Sequence, residues 1–208
     1  MIPLMVDLKG RAVLIFGGGE VGTRKAAFFG HEADVTVLSR SFSPELETMG
    51  VRRQKVDLSG ITDAGLQGLL SGAFLAVAAT PDQELNERIG RICLRRGVLF
   101  NNASGEQGDV LVPSVVRGRN YTIAISTSGK SPAVPRYLRL MIEKDYAALD
   151  AMIELQAELR TGLKETEPSQ RRRTEILWEV LSDKEVWTVL AADPIRAKQM
   201  VMERYLSA

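Results

Sequence analysis

The chain has 208 residues, of which 45% are hydrophobic and 25% are charged, and its formal net charge is +1. A charge so close to balance does not draw the whole chain toward nucleic acid or an anionic membrane. The sequence has no apolar run of the roughly 18 residues that a membrane span needs, and MIPLMVDLKG lacks the regions of a signal peptide, so we expect a cytoplasmic protein without nucleic-acid or membrane partners.

From Gly10 to about Val112, short apolar runs alternate with helical patterns. The runs AVLIFG, DVTVLSR, AFLAVAAT and VLFNN are typical of buried strands, whereas GTRKAAFFG and QELNERIGRICLRRG have the spacing of helices. This alternation predicts an α/β fold in which a parallel sheet is covered by helices on both faces.

The first strand of this region runs directly into Gly17-x-Gly19-x-x-Gly22, which opens the first helix. In a Rossmann-type doubly wound sheet the first glycine permits a tight turn, the second lets the backbone approach a pyrophosphate, and the third allows close helix packing. The N–H groups at Glu20 and Val21, in the first helical turn, are available to an anion. We therefore predict a dinucleotide-binding Rossmann domain over residues 1–112.

The end of the second strand often selects between NAD and NADP, because an acid there binds the ribose hydroxyl of NAD. Here the strand ends at Ser39 and Arg40, and the acid is missing. Arginine suits the extra phosphate of NADP or is a solvated charge, so both cofactors stay open on this evidence. Thr80 and Asn101, at the ends of the fourth and fifth strands, complete the predicted cofactor contacts.

Beyond Pro113 the pattern changes, because NYTIAIS alternates with a period of two and precedes a helical pattern from Ser131 to about Arg160. The apolar stripe of that helix needs a partner surface, either another domain or another subunit. We predict a small α+β dimerisation and substrate-binding segment over 113–160, a linker TGLKETEPSQ, and a C-terminal helical bundle over 161–208 with helix starts at Ser182 and Asp193.

Four blocks of the sequence, in this order, resemble the precorrin-2 dehydrogenases, a family that also forms the N-terminal module of siroheme synthases. The blocks are MIPLMVDLKGRAVLIFGGGEVGTRKA, AVAATPDQELNERI, DVLVPSVVRGRNYTIAISTSGKSPAVPRYLR and QRRRTEILWEVL. The resemblance implies an NAD-dependent oxidoreductase that converts precorrin-2 to sirohydrochlorin in siroheme and tetrapyrrole biosynthesis. It also implies a homodimer whose middle segments interlock.

The segment STSGKSP ends like a phosphate-binding P-loop, but Ala124 stands where that motif needs its first glycine. Precorrin-2 carries several carboxylates, and a helix start with Ser131 as N-cap and Pro132 in the first turn favours an anion. With Asn102 at the end of the fifth strand, the predicted substrate contacts are Arg117, Ser126, Thr127, Ser128, Gly129, Lys130, Ser131 and Arg136.

One departure from the family concerns an aspartate at the end of the fifth strand, to which proton transfer or metal insertion is attributed. Its place is taken by Ala103, and the next carboxylates are Glu106 and Asp109. Either of these, or water, is expected to accept the proton. Because metal insertion benefits from a positioned base, we expect ferrochelatase activity to be weak or absent. The single Cys93 and single His31 also provide no Cys/His metal site.

Two alternatives remain. A non-catalytic dinucleotide sensor, or a tetrapyrrole-handling protein of the same fold, would keep the three glycines without oxidation. The arginine run Arg171–Arg173 is compatible with nucleic-acid binding, but Glu165, Glu167 and Glu175 flank it, so a solvated helix face is expected instead.

Overall fold

The computed structural model describes residues 2–104 and 108–206. The chain divides into two units, residues 1–112 and 113–208. The first boundary coincides with the predicted end of the dinucleotide-binding domain, whereas a separation of 113–160 from 161–208 stays a prediction.

The first unit is a five-stranded, wholly parallel sheet with strand order β3-β2-β1-β4-β5. The order reverses between β1 and β4, which is the switch point where open α/β sheets bind ligands. Its elements are β1 (Ala12–Phe16), α1 (Glu20–Phe29), β2 (Asp34–Ser39), α2 (Pro44–Thr48), β3 (Arg52–Lys55), α3 (Asp63–Leu69), β4 (Leu75–Ala78), α4 (Gln83–Arg96) and β5 (Leu99–Asn102). The predicted α/β class is confirmed.

Successive side chains of the strands point to opposite faces, so the sheet supports two cores. One face packs Phe16, Ala78 and Phe100 against Ile89 and Ile92 of α4. The other buries Val13, Ile15, Val37 and Val77 with Ala26 and Phe29 of α1. Helices on both faces fix the carboxyl ends of β1, β2, β4 and β5 along one edge.

The second unit begins with an antiparallel pair and continues as helices. Its elements are β6 (Ser114–Arg117), β7 (Thr122–Ile125), α5 (Ala133–Asp145), α6 (Leu149–Thr166), α7 (Gln170–Ser182), α8 (Lys184–Ala192) and α9 (Pro194–Leu206). Met152, Leu155, Leu159 and Leu163 of α6 form one buried stripe, at spacings of three and four residues. They pack with apolar residues of α7, α8 and α9, which agrees with the predicted helical bundle.

The helices of this unit differ from the sequence prediction in three places. The predicted long helix is two helices, because Tyr146 leaves helical geometry with φ −121° and ψ 38°. Helix α6 continues to Thr166 because Leu163 still belongs to its buried stripe, so the predicted linker is helical over its first six residues. Asp183, rather than Ser182, caps α8, since its carboxylate accepts from the N–H of Glu185.

The predicted start of α9 at Asp193-Pro194 is confirmed, because the Asp193 carboxylate accepts from the N–H groups of Ile195 and Arg196. None of the helices within residues 2–104 and 108–206 has the length and apolar character needed to cross a membrane.

Candidate dinucleotide and substrate sites

The turn between β1 and α1 requires glycine at Gly17 and Gly22. Gly17 has φ +113°, and a Cβ there would overlap the carbonyl oxygen of Ala79. A Cβ on Gly22 would overlap the carbonyl oxygen of Gly17, so this helix starts in direct contact with the turn. Side chains at either position would push β1, β4 and α1 apart.

Gly19 has a different environment, because a Cβ built there would meet no atom within 4 Å. Gly19 is the N-cap of α1, and because glycine has no side chain it makes no capping hydrogen bond to the first turn. The first-turn N–H groups, which include Glu20 and Val21, therefore lie at an open surface with the positive end of the helix dipole. Open space over free N–H groups fits the pyrophosphate of a dinucleotide.

Two hydroxyl groups hold the glycine turn in place, and sequence reasoning missed both. Thr23 Oγ1 donates to the carbonyl of Gly19 at 2.9 Å and lies 2.8 Å from Ser43 Oγ. The N–H of Ser43 donates to the carbonyl of Gly18 at 2.9 Å. The dipeptide Ser43-Pro44 is an N-cap signature that would have located α2, but not its contact with the turn.

The carboxyl ends of β2 and β3 contain a charge pair that the sequence did not predict. Ser39 ends β2, and Nε of the following Arg40 lies 3.9 Å from Oδ1 of Asp57. Hydrogen bonds from the hydroxyl and N–H of Ser59, aided by Arg40, lower the pKa of Asp57 below its usual range. An ionised carboxylate from the end of β3 therefore lies beside the end of β2, which has no acid of its own.

Thr80 and Asn101 lie at the predicted strand ends, but their side chains turn inward. Thr80 is only 9% exposed, and its hydroxyl donates to Oδ1 of Asn86 at 2.6 Å. Asn101 is 3% exposed, and its amide donates to the carbonyl of Val110 at 2.7 Å. Both side chains make internal hydrogen bonds, although Oδ1 of Asn101 has no partner among the described residues, and their contact with a cofactor stays a prediction.

A groove of about 910 Å³ runs beside α4 and β5. Its lining includes Arg91 and Leu94 from the helix, Asn102 from the strand end, and Ser104 and Asp109 from the segment beyond it. The predicted site residue Glu106 lies outside the described residues. Within residues 2–104 and 108–206, no three His, Cys, Asp or Glu side chains are grouped closely enough to hold a metal ion.

Asp109, the other predicted proton acceptor, lies alongside β5 rather than at its carboxyl end. The next residue, Val110, donates its N–H to the carbonyl of Phe100 at 3.0 Å, two residues before the strand ends. Burial raises the pKa of the Cys93 thiol on α4 to about 12, and the Asp109 carboxylate adds to that rise. Asp109 therefore lines the groove together with Arg91 and Leu94 of α4.

In the second unit, the predicted substrate segment is a tight turn between β7 and α5. Ser128 and Gly129 both have positive φ, at 53° and 81°, and the N–H of Lys130 donates to the carbonyl of Thr127 at 3.1 Å. Two successive positive φ values with this bond define a type I′ turn. Ser126 and Ser131 flank it, and Thr127 Oγ1 bonds to both backbone groups of Ser131.

The helix after this turn starts later than predicted. Helix α5 begins at Ala133, which makes Pro132 the N-cap, although Ser131 Oγ still accepts a long 3.4 Å bond from the N–H of Val134. Lys130 and Arg136 are exposed on either side of this start. The assigned start is one residue later than predicted, but Pro132 already has helical dihedral angles of φ −67° and ψ −27°, and the bond from the N–H of Val134 to Ser131 Oγ is the capping bond predicted for Ser131.

The predicted cationic substrate contacts Arg117, Lys130 and Arg136 do not lie together. Arg117 pairs with Thr122 in the antiparallel register, whereas the turn follows Ile125 at the other end of the hairpin, about 10 Å away along the strand. Arg119 is ion-paired with Glu154 at 3.0 Å. The structure therefore groups Lys130 and Arg136 with the turn and places Arg117 apart from them.

Helix α5 exposes most of its apolar side chains, and Pro135 is the only residue of this helix that is buried. The exposed fractions lie between 36% and 61% for Val134, Tyr137, Leu138, Leu140 and Met141. An apolar surface of this extent on one helix is typical of an interaction surface.

Comparisons with known proteins place these features in a wider context. Residues 4–114, just over half of the chain, match a family model described as "Putative NAD(P)-binding". A precorrin-2 dehydrogenase of Methanosarcina barkeri is 45% identical over 194 residues, which cover 89% of this chain and 85% of the relative. The siroheme synthase of Azotobacter vinelandii is 33% identical over 181 residues, but the match spans only 38% of that protein.

A solved structure titled "SirC, precorrin-2 dehydrogenase" has a TM-score of 0.69 and 25% sequence identity. The match covers 98% of this chain and 100% of that one, so it includes both units.

Proposed function

The chain belongs to the precorrin-2 dehydrogenase family, and we propose that it oxidises precorrin-2 to sirohydrochlorin with NAD in siroheme biosynthesis. The observation that carries the proposal is the open backbone at Gly19, directly before the uncapped first turn of α1. This surface accepts a pyrophosphate, whereas side chains at Gly17 and Gly22 would destroy the turn that forms it.

The first unit has to bind the dinucleotide and hold it against the switch point of the sheet. N–H groups of Glu20, Val21 and Gly22 would bind the pyrophosphate, with Ser39 and Arg40 beside the adenosine ribose. Bound NAD supplies a nicotinamide ring that accepts a hydride. Thr23 and Ser43 keep the turn in its binding geometry through their hydroxyl groups.

We propose NAD rather than NADP because Asp57 lies beside Arg40. A cation that already has an anionic neighbour attracts a 2′-phosphate less than a free cation does, and the ionised carboxylate repels that phosphate directly. Asp57 also provides an acceptor for ribose hydroxyl groups, although it follows β3 rather than β2.

Substrate recognition is assigned to two groups of residues, each within its own unit. The turn at Ser126, Thr127, Ser128, Gly129, Lys130 and Ser131, with Arg136 on α5, offers hydroxyl, N–H and cationic donors to the carboxylates of precorrin-2. Asn102, on the groove beside β5, offers its side-chain amide. Arg117 is retained as a contact to a more distant carboxylate, because it lies at the other end of the hairpin.

Oxidation of precorrin-2 to sirohydrochlorin removes a hydride and a proton, so a proton acceptor is needed beside the reacting carbon. Asp109 lines the same groove as Asn102 and is our first choice. Glu106, which lies outside the described residues, is the second choice. Ala103 stands at the position of the family's aspartate and carries no titratable group, so the residue at that position cannot accept the proton. We propose weak or absent ferrochelatase activity for the same reason.

We propose further that the protein acts as a cytoplasmic homodimer. The exposed apolar face of α5 supports the homodimer. Its residues are Val134, Tyr137, Leu138, Leu140 and Met141. Burying this face against a second copy would contribute a favourable free energy of about 25 cal/mol per Å² of apolar surface. Nucleic acid is not expected as a partner, since Arg171 and Arg172 are ion-paired with Glu175 and Glu179.

The proposal is tested by anaerobic turnover of precorrin-2 with NAD and with NADP in separate reactions. Formation of sirohydrochlorin with an equal amount of reduced cofactor supports it. Binding of NAD without turnover would favour the alternative, a dinucleotide-sensing or tetrapyrrole-handling protein that retains the glycine turn.

A further inference from the structure

We propose that Asn86 is a positioning residue that couples two turns at the carboxyl edge of the sheet: the β4 turn (residues 79–82) and the β5 turn (residues 102–104). The inference rests on the proposed function for its consequence in catalysis. The coupling itself depends only on hydrogen bonds within the first unit.

The side-chain amide of Asn86 holds the β4 turn, because it both accepts hydrogen bonds from Thr80 and donates one to it. Its Oδ1 accepts from the hydroxyl of Thr80 at 2.6 Å and from the N–H of Thr80 at 3.3 Å, while its Nδ2 donates to the carbonyl of Thr80 at 2.9 Å. Because a backbone N–H only donates and a carbonyl only accepts, these bonds fix which end of the amide is oxygen. The peptide group between Ala79 and Thr80 lies against Gly17 of the cofactor turn, since a Cβ built on Gly17 would meet the Ala79 carbonyl and the Thr80 nitrogen.

The same amide reaches the β5 turn. Nδ2 of Asn86 donates a second bond to Ser104 Oγ at 2.9 Å, across 18 positions of sequence. That bond occupies a lone pair of Ser104 Oγ, which leaves the hydroxyl proton for Oδ1 of Asn102, 3.2 Å away. The N–H of Ser104 also donates to Oδ1 of Asn102, at 3.2 Å.

The outcome of this relay is the orientation of the Asn102 amide. Because its oxygen is held by two donors of Ser104, its Nδ2 is left as the donor that this side chain offers to the groove it lines. Displacement of the β4 turn, which contacts the glycine turn, would therefore shift the donor that faces the substrate. Four side chains, Thr80, Asn86, Ser104 and Asn102, form the path.

A simple capping role does not account for Asn86. The start of α4 is already capped by Asp82, whose carboxylate accepts from the N–H of Leu85 at 3.0 Å. Asn86 lies in the first turn of the same helix with 0% exposure, where an apolar side chain would pack without any need for partners. A buried amide at this place is explained by the two turns that it joins.

Two variants separate the parts of the relay. Asn86→Asp keeps the shape and the bonds accepted from Thr80 but removes both donated bonds. Ser104→Ala removes the hydroxyl that accepts from Asn86 and donates to Asn102, and it leaves the bonds between Asn86 and Thr80 in place. Thr188→Ala is the matched control, because its exposed hydroxyl donates to the Lys184 carbonyl on α8. For Ser104→Ala we expect an unchanged Kd for NAD and a kcat lower by about tenfold. For Asn86→Asp we expect weaker NAD binding as well.

The kinetic test is the double variant. If the two residues act in one relay, Ser104→Ala adds little to the kcat loss of Asn86→Asp, since the link is already broken. Fully additive losses, or a Ser104→Ala protein with wild-type kcat, would overturn the proposal.

A second readout does not need turnover and so separates this inference from the proposed function. Hydrogen exchange over residues 99–104 is measured with and without NAD, in the wild type and in Ser104→Ala and Asn86→Asp. We expect NAD to slow exchange of this segment severalfold in the wild type, and to have little effect in Asn86→Asp. Equal slowing in both would contradict the coupling. Wild-type coupling without precorrin-2 oxidation would leave the relay in place and reject the proposed function.

Discussion

Nε of Arg40 lies 3.9 Å from Oδ1 of Asp57, so the strand end that looks basic in the sequence carries a neighbouring anion in the fold. We predict that Asp57→Asn shifts the preference for NAD over NADP toward NADP by about fivefold to tenfold, because repulsion of the 2′-phosphate is removed and Arg40 is released. The measurement is the Kd of each nucleotide by calorimetry.

Asp34→Asn is the control for this experiment, since Asp34 is also exposed but lies at the opposite end of β2. The assignment of Asp57 fails if the ratio of the two Kd values is the same in wild type and Asp57→Asn.

The glycine turn offers a matched pair of substitutions that separate binding from folding. Gly19→Ala places its methyl group in open space, and Gly19 has φ −83°, which alanine adopts. We predict an unchanged Tm but NAD binding weaker by at least about tenfold, because the methyl group blocks the approach of the pyrophosphate.

Gly22→Ala should have the opposite pattern, with loss of stability as the primary effect. Its Cβ would overlap the carbonyl oxygen of Gly17, and a backbone atom cannot move away as a flexible side chain can. Overpacking of this kind costs about 1–3 kcal/mol. Urea unfolding of both variants tests the pair, and a Gly19→Ala protein that binds NAD normally would remove the turn from the proposed site.

A carboxylate in the second unit should make its stability depend on pH. Asp150 accepts from the N–H groups of Arg119 and Asn120, and these hydrogen bonds lower the pKa of Asp150 below its usual range. A depressed folded-state pKa stabilises the protein above the unfolded value of about 4 and loses that effect as pH falls through the folded value.

We therefore predict that Asp150→Asn lowers Tm at pH 7, and that its difference from the wild type shrinks as pH falls below about 4. Asp145→Asn, on the neighbouring helix α5, is the control. A constant difference from pH 7 to pH 3 would show that the ionised carboxylate is not the stabilising species.

The exposed face of α5 leads to a prediction about assembly. Leu138→Glu puts a charge into the apolar face, so it should convert the proposed homodimer to a monomer, since an unpaired buried charge is costly. Ile195→Glu is the control, because Ile195 is 73% exposed but lies on α9. Sedimentation of the three proteins measures the change. A dimer that tolerates Leu138→Glu would place its interface elsewhere.

The fold and the glycine turn were predictable because both depend on local patterns. Apolar runs alternating with helical spacing gave the parallel sheet, and the spacing of Gly17, Gly19 and Gly22 has one structural explanation in that context. The stop at Tyr146 was not predictable in the same way, because the apolar spacing continues from α5 into α6 without a glycine or proline between them.

The residues that sequence reasoning missed act through partners that are distant along the chain. Asp57 and Arg40 follow the neighbouring strands β3 and β2, and their side chains lie close together only in the folded sheet. Asn86 is on α4 and bonds to Ser104, which follows β5, 18 positions further along the chain. Thr80 and Asn101 were placed correctly at strand ends, yet the directions of their side chains depend on Asn86 and Val110. Strand order predicts where such residues gather, whereas it does not predict which of them are used by internal hydrogen bonds.

The most direct test of the central claim is an anaerobic absorbance assay with purified protein and freshly generated precorrin-2. Sirohydrochlorin and reduced cofactor are followed together, with NAD and NADP in separate reactions and Gly19→Ala as the binding-deficient control. We predict equal amounts of the two products, faster turnover with NAD than with NADP, and almost none with Gly19→Ala. Tight binding of NAD with no cofactor reduction by the wild-type protein would contradict the proposed dehydrogenase activity.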